Sequence, residues 1–256
     1  MQNDEAFMTD LRDTRNDGAE EGGWSEADGV DASSQFRNLV HTRRSIRAFL
    51  DEPVPRATIE AALEDAQQAP SNCNTQPWET HIVSGATRQR LSTALHAAAN
   101  DGELDLDFTF DTSLFTGRMS ERHREQGAAY HTALGISRED LVGRRQTSAR
   151  NLSFFGAPHV ALLFMPKLGD GVRVASDVGM YAQTFLLALA ARGVASVPQT
   201  TLGYYPEATR RVLGIGTEQK LLFGISFGYP DVSAAGYEHR MGRDPYEANV
   251  IFHDYS

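Results

Sequence analysis

The sequence predicts one layered structure in which strands and helices alternate, of the α/β or α+β class. Three observations carry this expectation. The apolar run from His159 to Met165 lies between Pro158 and Pro166 and reads as a buried strand. Residues 174–192 form a helix whose apolar face (Val178, Tyr181, Ala182, Phe185, Leu186, Leu189) is wide enough for a central core helix, closed by Gly193. Around these two segments helical and strand patterns take turns, with no internal repeat.

The elements follow in chain order. Residues 1–35 hold ten carboxylates against Arg12 and Arg15, and too little apolar surface to offset the entropy of ordering. They are expected to form a mobile acidic tail, with at most a helical turn or two around Phe7 and Leu11. The folded domain is expected over 36–256. Phe36, Leu39 and Val40 sit at helical spacing and lead into His41-Thr42-Arg43-Arg44-Ser45-Ile46-Arg47. Pro53 and Pro55 mark a loop. Ile59, Ala62, Leu63 and Ala66 then follow the i, i+3, i+4, i+7 pattern of a helix that Pro70 stops. Residues 78–84 read as a strand and 86–99 as a helix.

From Asn100 to about Ser137 the periodicity dissolves, although Leu104, Leu106, Phe108, Phe110, Leu114 and Phe115 keep the stretch apolar in places. An irregular, aromatic-rich segment of that kind is expected to be a lid or to wrap a partner. Residues 138–152 look helical. Beyond the central helix come a strand at 194–198, a short helix at 206–213 and a strand at 220–228. A final strand is expected over Asn249-Val250-Ile251-Phe252-His253.

Composition narrows the function classes. The 256 residues are 41% hydrophobic and 23% charged, with a formal net charge of -10. That balance opposes a nucleic-acid partner, because phosphate neutralisation needs a basic face. The acidity is concentrated in residues 1–35, which leaves 24 acids against 22 bases on the rest of the chain. Cys73 is the single cysteine, so an intramolecular disulfide and a multi-cysteine zinc site are excluded, and a reducing compartment fits. No run approaches 18 apolar residues and the N-terminus lacks signal-peptide features, so the expectation is a soluble cytoplasmic protein with no membrane partner.

No metal is expected, since none of the eight histidines stands in an HxH or HExxH spacing. Cys73 is flanked by asparagines without a local histidine, and Gly214-Ile215-Gly216 follows a helix rather than a strand, so neither reads as catalytic or dinucleotide-binding. Arg43-Arg44-Ser45-Ile46-Arg47 is more informative. Guanidinium forks and a hydroxyl suit a phosphate dianion, although cations at a helix C-terminus are the alternative. A second feature is Ala69-Pro70-Ser71-Asn72-Cys73-Asn74-Thr75-Gln76-Pro77-Trp78, a loop of amides between two prolines. It either presents hydrogen bonds to the edge of a heterocycle or is an Asx-rich turn.

Together these segments resemble the FMN-dependent nitroreductase family. The resemblance continues in Gly193-Val194-Ala195-Ser196-Val197-Pro198-Gln199-Thr200-Thr201-Leu202-Gly203-Tyr204-Tyr205, in Phe227-Gly228-Tyr229-Pro230 and in Arg243-Asp244-Pro245, covering about residues 36–253 in order. It implies an α+β three-layer sandwich with a mixed central sheet flanked by helices, and an intertwined homodimer with FMN at the subunit interface.

Carried over by position, Arg43, Arg44 and Ser45 would face the FMN phosphate and ribityl chain, and Arg47 the flavin N1/C2=O edge. Ser71, Asn72, Asn74 and Gln76 would lie beside the ring. The backbone of Pro198, Gln199 and Thr200 would cover its opposite face. Arg243 would return to the phosphate, with Arg240 as its alternate, because Met241 stands where many relatives carry a lysine.

The implied chemistry is a ping-pong cycle in which NADH or NADPH reduces FMN and a nitroaromatic or similar small electron acceptor reoxidises it. No side-chain acid or base is obligatory, because the flavin carries the chemistry. Phe108, Phe110 and Phe115 would shape the acceptor pocket. Reductive dehalogenation, flavin fragmentation and a non-catalytic flavin-binding redox sensor remain as alternatives, although Gln76-Pro77-Trp78 departs from the Glu-Pro-Trp typical of deiodinases.

Overall fold

A computed structural model describes residues 26–102 and 104–253. The chain divides into two units, Met1–Asn38 and Leu39–Ser256. Helix α1 (Glu26–Thr42) begins inside the stretch expected to be an acidic tail. The rest of that stretch, including the turns expected near Phe7 and Leu11, lies outside the described residues.

The larger unit is built on a four-stranded sheet in the order β1-β2-β4-β3, from β1 (Glu79–Ser84), β2 (His159–Pro166), β3 (Ala195–Gln199) and β4 (Gln219–Gly228). All three ladders are antiparallel. The parallel component of the mixed sheet is a single bridge, Ser45 to Ser196, outside the named strands. On β2 the side chains alternate between two cores. Ala161, Leu163 and Met165 meet α2 (Arg56–Ala66) and α6 (Val172–Ala191). Val160, Leu162 and Phe164 meet α3 (Gly85–Asp101) and α7 (Pro206–Leu213). A strand covered on both faces has no solvent side, which is why its sequence is a continuous apolar run rather than an alternating one. The result is the expected three-layer sandwich. Helix α6 is apolar and long enough to cross a bilayer by composition, but Val178, Phe185 and Leu189 are fully buried against the sheet.

Three expectations are corrected. The segment 100–137 is not irregular throughout, since it contains α4 (Gly117–Ala133) after a 3-10 turn at Thr112–Leu114. This helix has no buried residue and carries ion pairs from Arg118 to Glu121 and Glu125. It carries no buried apolar stripe, so hydrophobic periodicity could not reveal it. The expected terminal strand at 249–253 does not form either. Those residues pair with no strand among the described residues. Val250 N–H instead turns back to Tyr246 O at 2.9 Å, leaving Ile251 79% exposed. The expected helix at 138–152 is shorter, as α5 (Leu141–Ala149), and runs on as a 3-10 segment to Gly156.

One feature of the sheet sets the later geometry. Between Leu163 and Phe164 the β2–β4 register shifts by a residue at Leu222. There the 3-10 turn Thr200–Tyr204, which follows edge strand β3, packs down on β4. A Cβ on Gly203 would lie 2.9 Å from Leu222 O, and one on Gly224 would lie 2.5 Å from Leu202 Cδ1.

Candidate functional site

The basic run leaves α1 as extended chain laid along β3. Ile46 N–H donates to Ser196 O at 3.1 Å and Leu50 N–H donates to Tyr229 O at 2.9 Å, while Phe49 bridges Pro230. This crossing brings the chain after β4 against the arginines. Arg43, Arg44, Ser196, Pro230 and Tyr237 line a cleft of about 270 Å³.

The arginines divide their work. Arg43 lies within reach of the Arg243 charge, and its guanidinium is lowered from the usual arginine value by burial first and by that charge second. No carboxylate pairs with either group among the described residues. Arg243 donates only to Met241 O at 3.2 Å and Gly242 O at 3.0 Å. Two cations held near one another without a counter-charge favour an anion beside them. Arg44 is engaged elsewhere. It donates to Tyr237 O and, at 3.4 Å, to His239 O, and it lies 4.3 Å over the Tyr237 ring. It therefore fastens the C-terminal segment rather than presenting a free fork. Arg240 is exposed.

Ser45 and Arg47 line a second, water-sized cavity of about 20 Å³ with Tyr130, Tyr237 and His239. Arg47 lies 4.8 Å over the Tyr130 ring and is lowered by burial. Its backbone carbonyl accepts from Arg150 Nη2 at 2.8 Å. Burial pushes the Tyr130 hydroxyl up, with Arg47 and Arg150 opposing. Tyr130 Oη and His239 Nε2 are buried without a partner among the described residues.

The amide loop is closed on itself. Ser71 Oγ accepts from Gln76 N–H at 2.9 Å, and Gln76 Nε2 donates to Asn74 O at 3.1 Å. Asn72 N–H donates to both carboxylate oxygens of Asp177 at 3.2 Å, from a buried position on α6. Beneath the loop Trp78 stacks on Tyr181 with centroids 4.8 Å apart and donates to Gln67 at 3.1 Å. Cys73, Asn74 and Gln76 adopt left-handed backbone with φ of 50°, 55° and 46°, a conformation that asparagine tolerates better than the other two. The side chains of Asn72, Asn74 and Gln76 are exposed.

At the end of β3, Pro198 and Thr200 are exposed while Gln199 turns inward. Gln199 Nε2 donates to Asn151 O at 3.0 Å, and its Oε1 accepts from Ser226 Oγ. Its side chain fastens β3 and leaves only its backbone for a ligand. The three phenylalanines separate. Phe108 packs against the core that holds α6. Phe110 and Phe115 meet edge to face at 6.2 Å, with Tyr204 5.9 Å from Phe110 and His123 5.6 Å from Phe115.

The structure thus gathers Arg43, Arg44, Ser45 and Arg47 with the chain around Arg243. It sets the 71–76 loop on Asp177 and the Phe110–Phe115 pair beside Tyr204. Sequence reasoning missed Tyr130, Tyr237, His239 and Asp177. No local motif marks them; Asp177 alone stands out, as the acid within the apolar stretch of α6.

A nitroreductase family model matches residues 40–229. The nitroreductase NfnB of Mycolicibacterium smegmatis is 44% identical over 206 residues, covering 80% of this chain and 87% of that protein. A 4-nitrobenzoate reductase of Pseudomonas putida is 33% identical, covering 83% and 92% respectively. The crystal structure of FMN-dependent NfnB from Mycobacterium smegmatis in complex with NADPH superposes with a TM-score of 0.83 at 41% identity. It covers 87% of this chain and 100% of that one. With the arginine-lined cleft, the amide loop and the sheet order already in place, the chain belongs to the nitroreductase family.

Proposed function

We propose that the protein is an FMN-dependent NAD(P)H oxidoreductase that reduces nitroaromatic or similar electron-poor small molecules. The observation that carries this reading is the cleft lined by Arg43 and Arg44, where the Arg243 charge also acts on Arg43 and no carboxylate pairs with Arg43 or Arg243 among the described residues. A terminal phosphate dianion is the charge that these arginines lack, and FMN carries one. The relatives supply the reaction class, being nitroreductases and a nitrobenzoate reductase by name.

When bound, FMN supplies hydride exchange with a reduced nicotinamide and with the acceptor. The chain's own residues bind and orient. Arg43 and Arg243 would hold the phosphate, with Ser45 beside it and Arg240 available from the surface. Arg47, kept charged and fixed over Tyr130, would place a cation at the flavin edge, where preorganised charge is most effective. The exposed amides of Asn72, Asn74 and Gln76, on a loop stiffened by Ser71 and Asp177, would meet the ring. The Pro198–Thr200 backbone would lie over its other face. Phe110 and Phe115, anchored on Tyr204, would form an apolar wall for the acceptor, with Phe108 as their attachment to the core. The reading includes a homodimer, supported by the exposed apolar residues Val250, Ile251 and Phe252. It also includes a cytoplasmic location, supported by the free thiol of Cys73.

Purified protein should carry flavin absorbance that NADPH or NADH bleaches anaerobically and a nitroarene restores. Arg43→Ala should fold but retain little flavin, since a charge-assisted hydrogen bond is worth about 1.5–3 kcal/mol. Colourless protein that cannot be reconstituted with FMN, or unchanged occupancy in Arg43→Ala, would refute the assignment.

A further inference from the structure

The chain from Tyr237 to Asp244 leaves its last turn as irregular backbone. Side chains from elsewhere fasten it at two points. Upstream, Arg44 takes the carbonyls of Tyr237 and His239. Downstream, the Asp244 carboxylate is gripped by Arg122 and by Arg118, whose Nη2 and Nε lie at 3.3 and 3.4 Å, both from α4. Asp244 is the least exposed member of this group, at 23% against 41% for Arg122 and 52% for Arg118.

Arg243 stands between these fastenings, next in the chain to Asp244. It pairs with no carboxylate among the described residues, and its charge acts on Arg43. Two like charges drift apart unless something outside the pair holds them. The neighbouring residue supplies that hold, because an anchored Asp244 side chain tethers the backbone one peptide unit from Arg243.

We propose that Asp244, through its ion pairs with Arg122 and Arg118, is a positioning residue that keeps Arg243 near Arg43, which lines the cleft. The inference rests on the FMN reading above and adds the charged N-terminal turns of α4, whose Tyr130 already lies under Arg47. It also gives the C-terminal segment a function beyond carrying Arg243.

The test uses full-length protein stripped of flavin and compares binding of FMN with binding of riboflavin, which lacks the phosphate. Wild-type protein should bind FMN more tightly than riboflavin. Asp244→Asn keeps the shape and removes the charge. It should weaken FMN by about fivefold, the upper end for a partly exposed ion pair, and leave riboflavin within about twofold. Arg118→Ala/Arg122→Ala should do the same from the other side of the contact. In an Arg243→Ala background, Asp244→Asn should cost nothing further, because the group it positions is gone.

Equal losses for FMN and riboflavin would overturn the proposal by marking Asp244 as general support for the fold. So would unchanged FMN affinity, or additive losses with Arg243→Ala. If the wild-type protein itself failed to distinguish FMN from riboflavin, the phosphate reading would fall, and this inference with it. That outcome is separate from a wild type that discriminates and an Asp244→Asn variant that discriminates equally well.

Discussion

Asp107 and Arg210 form the most deeply buried ion pair among the described residues, with side chains 7% and 4% exposed. Asp107 accepts from Leu221 N–H at 2.8 Å on β4 as well, and Lys220 Nζ lies 3.4 Å from its other oxygen. Arg210 also reaches Glu207 at 2.7 Å and donates to Gln219 O at 2.9 Å. Asp107→Ala would orphan a buried guanidinium, a change that costs about 3–5 kcal/mol in comparable pairs. Glu207 stays behind, but it is 60% exposed and can screen only part of the charge, so the lower end, about 3 kcal/mol, is expected. For a chain of this size that corresponds to a melting temperature roughly 6–12 °C lower.

Urea unfolding of flavin-free protein at fixed concentration, followed by circular dichroism, measures the loss. The control is Asp107→Leu with Arg210→Met, which removes both charges and should be less damaging than Asp107→Ala alone. A loss under about 1 kcal/mol for Asp107→Ala, or a double variant worse than the single, would refute the reasoning. The pair also fastens the chain just before Phe108, so a loosened acceptor wall should appear as a raised KM before kcat falls.

Two further outcomes follow from groups packed inside the sheet. His159 accepts from Val54 N–H at Nε2 (2.9 Å), which leaves its proton on Nδ1 to donate to Ser84 Oγ at 2.6 Å. Burial first, and Arg88 second, lower its pKa from the ordinary histidine value. Below about pH 6.5 the unfolded chain takes up a proton that the folded one refuses, so this contribution is complete above that pH and lost as pH falls further. Unfolding free energies between pH 7.5 and 5 should drop less steeply in His159→Gln, and identical slopes would count against it. Gly224→Ala would force a Cβ to 2.5 Å from Leu202 Cδ1 and 3.1 Å from Leu162 Cδ2. A loss of about 1–3 kcal/mol is expected. Adding Leu202→Ala should then cost less than it does in the wild type, whereas simple additivity in thermal melts would show that the clash is absent.

Much of this architecture was legible in local pattern. β2, α6 and α7 lie where apolar run, apolar face and short periodicity place them, because each buries surface and burial leaves a period in the sequence. Helix α4 left no such trace, since no residue in it is fully buried and much of its surface is charged. The strand expected at 249–253 failed for the opposite reason: β-prone residues were present, but a strand exists only beside a partner. At the site, the arginine run and the amide loop were visible as chemistry, while their division of labour was not. Arg44 and Arg43 are adjacent and identical, yet one holds two carbonyls and the other lies within reach of a cation. Only the path of the chain after β4 separates them. Tyr130 and Asp177 act across more than 80 and 100 positions respectively, as their contacts with Arg47 and Asn72 show, and nothing near them in sequence hints at either.

The short crossing of Ser45 and Ile46 over Ser196 also decides how the sheet ends. β3 is an edge strand, and an uncovered edge is a template on which other chains can polymerise. Here the backbone of residues 45–46 occupies that edge at Ser196, and two residues further along Pro198 offers no N–H at all. The same few residues that lead the arginines to the cleft therefore protect the molecule from sheet-to-sheet aggregation. Pro198→Ala would restore a donor to that border, and its cost would be paid in colloidal stability rather than in folding.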